Sequence, residues 1–332
     1  MRKLLILIWS VIVFTSCDWG GRTNGHENNS KVTIERYDRL QFESVTMNNV
    51  ASLQKMNTDY PQATKLLIED VLSIGDVSDP EIDNELLSFF SDTIARKLMN
   101  DVENKYQDVS GIEKELSKGF LNIHKDLNFL PIPRIYTQIS GLNQSIVVGD
   151  SLVGISLDKY MGTDYPLYKR YYYDMQSRFM DSKRIVPDFF YYYLLSQYEM
   201  PFNFGRTLLD VIMHRGKVHW LIKKALNYDS IEEELGYNKE EEKWCKKNKR
   251  ALWKFVQEHD HLNATDPMIV RSYMNYPYFT IIKDEDTPYS IGIYLGYQLI
   301  EQFMNSHRNV SVKELMERTD YRKMLQDTKI SL

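Results

Sequence analysis

The sequence predicts a predominantly helical α+β fold, with a small three-stranded sheet lying between two helical halves. Three observations predict it. Apolar residues recur at helical spacing before residue 131 and again after Gly162. Between them, PIPRIYTQISGLNQSIVVGDSLVGISLDKYMG (131–162) is rich in β-branched and aromatic residues and broken by Gly, Asn and Asp. No linker or internal repeat divides the chain after residue 32, so one unit over 32–332 is the simplest organisation.

The elements follow in order. VTIERYD at 32–38 is a short strand-like start, and an amphipathic helical stretch follows to about residue 56. TDYP (58–61) opens the helix ATKLLIEDVLSIG, which Gly75 stops. Residues 84–106 read as one long amphipathic helix. SGIE at 110–113 has the spacing of a capping box, in which Ser110 accepts from the third residue's N–H and Glu113 reaches back. Three strands are expected at Arg134–Ser140, Ser145–Val148 and Leu152–Leu157, with GLNQ and GDS as their turns. Helices are then expected over Val186–Tyr198, Arg206–Asn227, Glu240–His259, Ser290–Ser306 and Val312–Asp327, the last opened by the capping box SVKE. The tyrosine runs at 168–174 and 189–195 suit a wide helix face with polar tips.

The N-terminus sets the cellular address. Arg2 and Lys3 precede an uncharged, mostly apolar run from Leu4 to Phe14, too short to span a bilayer, which takes ~20 apolar residues. Thr15 and Ser16 then lead into Cys17, the pattern of a lipoprotein signal peptide over 1–16. Cys17 is the expected lipid-attachment residue, diacylated (palmitate) and anchored in the membrane. Residues 17–31 are polar and rich in Gly and Asn, as in a flexible tether. Cleavage leaves 39 basic against 46 acidic residues, a net charge of −7, and no basic stripe, which argues against nucleic acid as a partner. With Cys17 acylated, Cys245 has no partner and no disulfide is expected.

The stretch LLDVIMHRGKVHW (208–220) is where metal chemistry is sought. Zinc on a helix needs ligands one turn apart, ~40° around the axis, whereas His214 and His219 are five residues and ~140° apart. Arg215 holds the place of a general base, so HExxH is absent. Asp210 and His214 do have ligand spacing, with His219, Glu232 or Glu233 as candidate third ligands. The plainer alternatives are an Asp210–His214 hydrogen bond or an Asp210–Lys217 ion pair. No catalytic set is assigned and no cofactor is required; zinc at Asp210/His214 is the one left open. HDH (259–261) and the acids Asp150, Asp158 and Asp164 are weaker metal candidates. There is no GxSxG elbow and no phosphate-binding loop. Gly292 and Gly296 lie one turn apart and clear a strip for close packing, inside the fold or against a partner helix.

Together these segments resemble the GldB family of gliding-motility lipoproteins of the Bacteroidota. The resemblance runs from Val32 to Leu325 and rests on IERYDRLQF, NTDYP, ISGLNQSIVVGDSLVGISLDKYMG with DYPLY, LLDVIMHRGKVHWL, ELGYNKEEEKWCKKNKRALW and TPYSIGIYLGYQLIEQFM, in that order. It implies a cell-envelope lipoprotein tied to gliding and protein export, with envelope proteins as its expected partners and no catalysis. As a scaffold or binding module of this type, it is expected at the outer membrane, facing the periplasm. The layout is also similar to that of zincin-like predicted peptidases, which implies a zincin-like fold and, as the alternative function, a zinc-dependent peptidase with a non-standard Asp210/His214 site. Where the family's tail has SPGRIG-type residues, this chain reads TPYSIG, without the basic residue.

Overall fold

The computed structural model describes residues 30–201, 206–274, 286–328 and 330. Cys17, the expected signal peptide and all but the last two residues of the expected tether lie outside the described residues.

The order is β1 (Ile34–Glu35), α1 (Tyr37–Thr46), α2 (Val50–Asp59), α3 (Pro61–Lys65) continuing as a π-helical turn (Leu66–Leu72), α4 (Ile82–Phe89), α5 (Thr93–Lys105) and α6 (Ser110–His124). Then come β2 (Arg134–Gln138), β3 (Ile146–Gly149) and β4 (Leu152–Ser156), followed by α7 (Pro166–Tyr171), α8 (Asp174–Ser177), α9 (Ile185–Gln197) and α10 (Leu208–Leu226). The chain finishes with α11 (Ile231–Glu234), α12 (Lys239–Glu258), α13 (Pro267–Met274), α14 (Ile291–Ser306), α15 (Val312–Glu317) and α16 (Tyr321–Asp327). The fold is predominantly helical α+β, as the periodicity implies.

Among the described residues the sheet has four strands rather than three, in the order β1-β2-β4-β3. The extra strand is the strand-like start, which pairs in parallel with Ile135 and Tyr136. α6 holds it there: Glu113 accepts from the Ile34 amide at 2.8 Å and Ser117 Oγ from the Val32 amide at 2.9 Å. Glu113 is therefore not free to close the expected capping box, and Asp108 accepts from the Ser110 amide and hydroxyl instead. Ser30 is docked as well, its hydroxyl 3.1 Å from His124 Nδ1.

β2 and β4 run parallel and β3 returns antiparallel beside β4. The loop from β2 to β3 carries two consecutive left-handed residues, Gly141 (φ 63°) and Leu142 (φ 68°). Asp158, fully buried just after β4, holds that loop: it accepts from the Ser140 amide at 2.9 Å, the Ser140 hydroxyl at 3.0 Å and the Leu142 amide at 2.6 Å. Asp158 is thus a structural brace, while Asp150 is exposed in the β3–β4 turn and Asp164 is exposed beside Lys169.

Two predicted helices are broken. Asp92 accepts from the Ile94 and Ala95 amides and starts α5 afresh, so 84–106 is two helices. Residues 312–327 break because the buried Lys217 ammonium donates to the carbonyls of Met316 and Arg318, both at 2.7 Å, and Arg318 turns extended. The SVKE capping box does form, with Ser311 and Glu314 each bonded to the other's backbone N–H.

Two apolar clusters make the core. The first takes in the sheet, α1, α5, α6 and α9, including Phe120 of α6 and Phe189, Phe190 and Tyr193 from the second aromatic run. The second takes in α12, α14 and α16 and contains the buried free thiol of Cys245, whose ionisation burial suppresses. α10 enters both: Leu208, Leu209, Ile212 and Met213 belong to the second, and Val218, Leu221, Ile222 and Ala225 to the first. α10 crosses α14 backbone to backbone. A Cβ on Gly296 would lie 1.8 Å from the Ile212 carbonyl oxygen, and one on Gly216 2.3 Å from the Gly296 carbonyl carbon. Gly292 faces Tyr273 and Ile212 on the same strip.

Candidate functional site

α10 carries most of the polar residues that the sequence singles out, and the structure sends them to different partners. Thr207 caps the helix, and Asp210 completes the capping box, accepting from the Thr207 amide at 2.9 Å and its hydroxyl at 2.8 Å. Asp210 thus bonds neither to His214 nor to Lys217. His214 is buried with Nδ1 2.7 Å from the Tyr321 hydroxyl. Burial, and then the nearby Lys217 charge, pull the His214 pKa down to about 4. Burial likewise pulls Lys217 down to about 8.

His214 therefore makes stability pH-dependent. Its folded pKa of about 4 lies below the ordinary histidine value of 6.5, so the unfolded chain binds the proton more readily between those values. Stability on this account is full above pH 6.5 and falls as pH drops toward 4, with about 2 kcal/mol lost by pH 5. Urea titrations at pH 7.5 and 5 are expected to show this loss in the wild type and a smaller one in His214→Gln. An equal loss in both would refute it.

One turn beyond His214's neighbour, the helix does something else. Arg215 and His219 are four residues apart, so they share a face, and both line a cavity of about 370 Å³ bounded by α9, α10, α11 and α14. His219 is 5% exposed. Its Nδ1 lies 2.8 and 3.0 Å from the two carboxylate oxygens of Glu234, which is fully buried on α11. An ionised carboxylate only accepts, so Nδ1 carries the proton and Nε2 is left for another contact. Nε2 is buried and has no hydrogen-bond partner among the described residues. The ring rests on Tyr191 of α9, with centroids 4.8 Å apart.

Arg184 and Asp188 form a second i,i+4 pair at the cavity, with Nη2 to Oδ1 at 2.9 Å. Arg184 also donates to the Glu234 backbone carbonyl at 2.5 Å, and Tyr160 donates to Asp188 at 3.1 Å. Burial pushes the Asp188 pKa up, against the pull of Arg184 and Tyr160. Arg215 forms no ion pair and no hydrogen bond among the described residues, and it lowers the Tyr191 pKa that burial raises to about 12.

Spacing offers His219, Glu232 and Glu233 as alternative third ligands at Asp210/His214, but His219 instead meets an acid that spacing does not single out. Glu234, not Glu232 or Glu233, reaches the imidazole. Ser230 caps the short α11 by accepting from Glu233's amide, which turns Glu234 inward and leaves Glu233 exposed. The Arg215/His219 and Arg184/Asp188 spacings were the available signal. At the second histidine pair, His261 Nδ1 meets the Tyr273 hydroxyl at 2.7 Å and His259 Nδ1 the Phe255 carbonyl at 2.9 Å. Among the described residues, no three His, Cys, Asp or Glu side chains gather in a way that could hold a metal ion. None of the described helices is long and apolar enough to cross a membrane.

No curated protein and no solved structure matches the chain. The family model described as gliding motility protein GldB matches residues 22–331, nearly the whole length. That match takes in the sheet, α10 and all four walls of the cavity. The chain therefore belongs to the GldB family of gliding-motility lipoproteins.

Proposed function

We propose that this chain is an envelope lipoprotein anchored through diacylated Cys17 at the outer membrane. Its folded part faces the periplasm and serves the gliding and export machinery as a non-catalytic scaffold or binding module. One observation carries the reading: Asp210 and His214, the α10 residues a metal site there would draw on, and Lys217 beside them are spent on holding the fold. Asp210 caps a helix, His214 meets Tyr321, and Lys217 ties down the α15–α16 corner. Nothing in this geometry supports a zinc peptidase built on Asp210 and His214, whose side chains serve separate bonds.

The test is complementation in cells lacking the chain. The wild type is expected to restore surface spreading and to fractionate with membranes, with a lipid-modified Cys17 by mass spectrometry. Cys17→Ser is expected to leave the membrane fraction and to fail. Asp210→Asn, which keeps a capping side chain, is expected to restore spreading fully. A mature N-terminus beyond Cys17, or metal-dependent peptide hydrolysis lost in Asp210→Asn, would refute the reading.

A further inference from the structure

Buried polar atoms without partners are rare in folded proteins, because each forfeits its bonds to water. The cavity between α9, α10, α11 and α14 gathers two, His219 Nε2 and Arg184 Nε. It also gathers the charge of Arg215, which no acid balances among the described residues. We propose that this cavity binds the carboxylate group of a small organic anion, with Arg215 as its ion-pair partner and His219 Nε2 as its second contact. This deepens the binding-module reading and rests on it.

The charges favour a monoanion. Arg184 is matched by Asp188. Glu234 is already engaged behind the ring by His219 Nδ1–H, and in the proposed complex Nε2–H is the donor to the arriving oxygen. Among the described residues, Arg215 then remains as one uncompensated cation. One carboxylate neutralises it, with the bidentate geometry that a guanidinium offers. A phosphate dianion would carry a second negative charge into a site that already buries Asp188 and Glu234.

The walls describe the rest of the ligand. Phe179, Tyr191, Tyr237 and Ile293 line the same space, so the body beside the carboxylate is apolar or aromatic. A volume of about 370 Å³ falls at the lower end of small-molecule sites, enough for one bulky residue or an aryl acid. A free carboxylic acid and the carboxyl end of a peptide share this chemistry.

The experiment is calorimetry on the chain purified from membranes in detergent. N-acetyl-L-phenylalanine is the probe, and its uncharged amide and inorganic phosphate are the controls. The acid is expected to bind saturably, and the amide and phosphate about ten- to hundredfold more weakly, the loss of one charge-assisted bond. Arg215→Gln is expected to weaken the acid by a similar factor with an unchanged thermal midpoint, since Arg215 holds no other side chain in place. The tripeptide Ala-Ala-Phe separates the sources: tighter binding than the acetylated residue identifies a peptide end, and weaker binding a free acid. The proposal is overturned if the acid shows no saturable binding at millimolar concentration, if amide or phosphate binds as tightly, or if Arg215→Gln binds as the wild type does. The amide comparison needs no variant to fold. Any of those failures alongside intact complementation by the wild type would leave the envelope role standing and remove only this ligand.

Discussion

Gly296→Ala is expected to destabilise the protein by about 3 kcal/mol or more, despite the ~1 kcal/mol that alanine gains over glycine inside a helix. The added methyl would sit 1.8 Å from the Ile212 carbonyl oxygen and 2.5 Å from its carbonyl carbon. Those are backbone atoms of α10, fixed in the helix, so no side chain can swing away. The two helices would have to separate along the whole crossing, and the contacts around Ile212, Leu295 and Ile300 would loosen with them. Gly111→Ala is the matched control. A Cβ there meets nothing within 4 Å, so helix preference acts alone and stability is expected to rise by up to about 1 kcal/mol. Urea denaturation of both variants checks the pair. Gly296→Ala within 1 kcal/mol of wild type, on a ~1 kcal/mol scale set by helix preference alone, would show that α10 and α14 are not in backbone contact.

Asp158→Ala is expected to cost about 3–5 kcal/mol, the usual penalty when one side of a buried charged network is removed. The carboxylate serves the Ser140 amide, the Ser140 hydroxyl and the Leu142 amide at once. Without it, two backbone donors lose their acceptor, and the left-handed conformation of Leu142, unfavourable for a side chain of that size, loses a main restraint. Lys159 and Tyr172 both donate to the Leu142 carbonyl, so the disturbance reaches α7. Asp158→Asn keeps one acceptor oxygen and is expected to fall between alanine and wild type. Thermal unfolding and near-ultraviolet circular dichroism read both. Full wild-type stability in the alanine variant would mean that the turn holds itself.

Much of this fold is legible in the sequence where neighbours along the chain decide the outcome. β2, β3 and β4 fall within two residues of their expected spans because alternation and turn residues are local signals. α9, α10, α12 and α14 do so because their apolar stripes are long. The misses occur where a distant residue decides. Lys217 breaks the last helix from about 100 residues away in sequence, and α6 recruits β1 through Glu113 and Ser117. No window on 312–327 contains Lys217. The cavity was hidden for a related reason. A metal helix signals itself by two histidines on one face, whereas the pair that shares a face of α10 is a histidine and an arginine, and the histidine's acid lies on a four-residue helix whose facing depends on the Ser230 cap.

The passage of α10 through both apolar clusters limits how the chain can be divided. A fragment ending before residue 208 would keep the sheet yet lose Val218, Leu221, Ile222 and Ala225, which close the first cluster. A fragment beginning after Leu226 would keep α14 yet lose the helix that Gly296 is shaped to receive. Neither half carries a finished surface at the cut. The molecule has no seam there along which a module could be borrowed, swapped or shed, so change within it is confined to loops and faces that leave this shared helix whole.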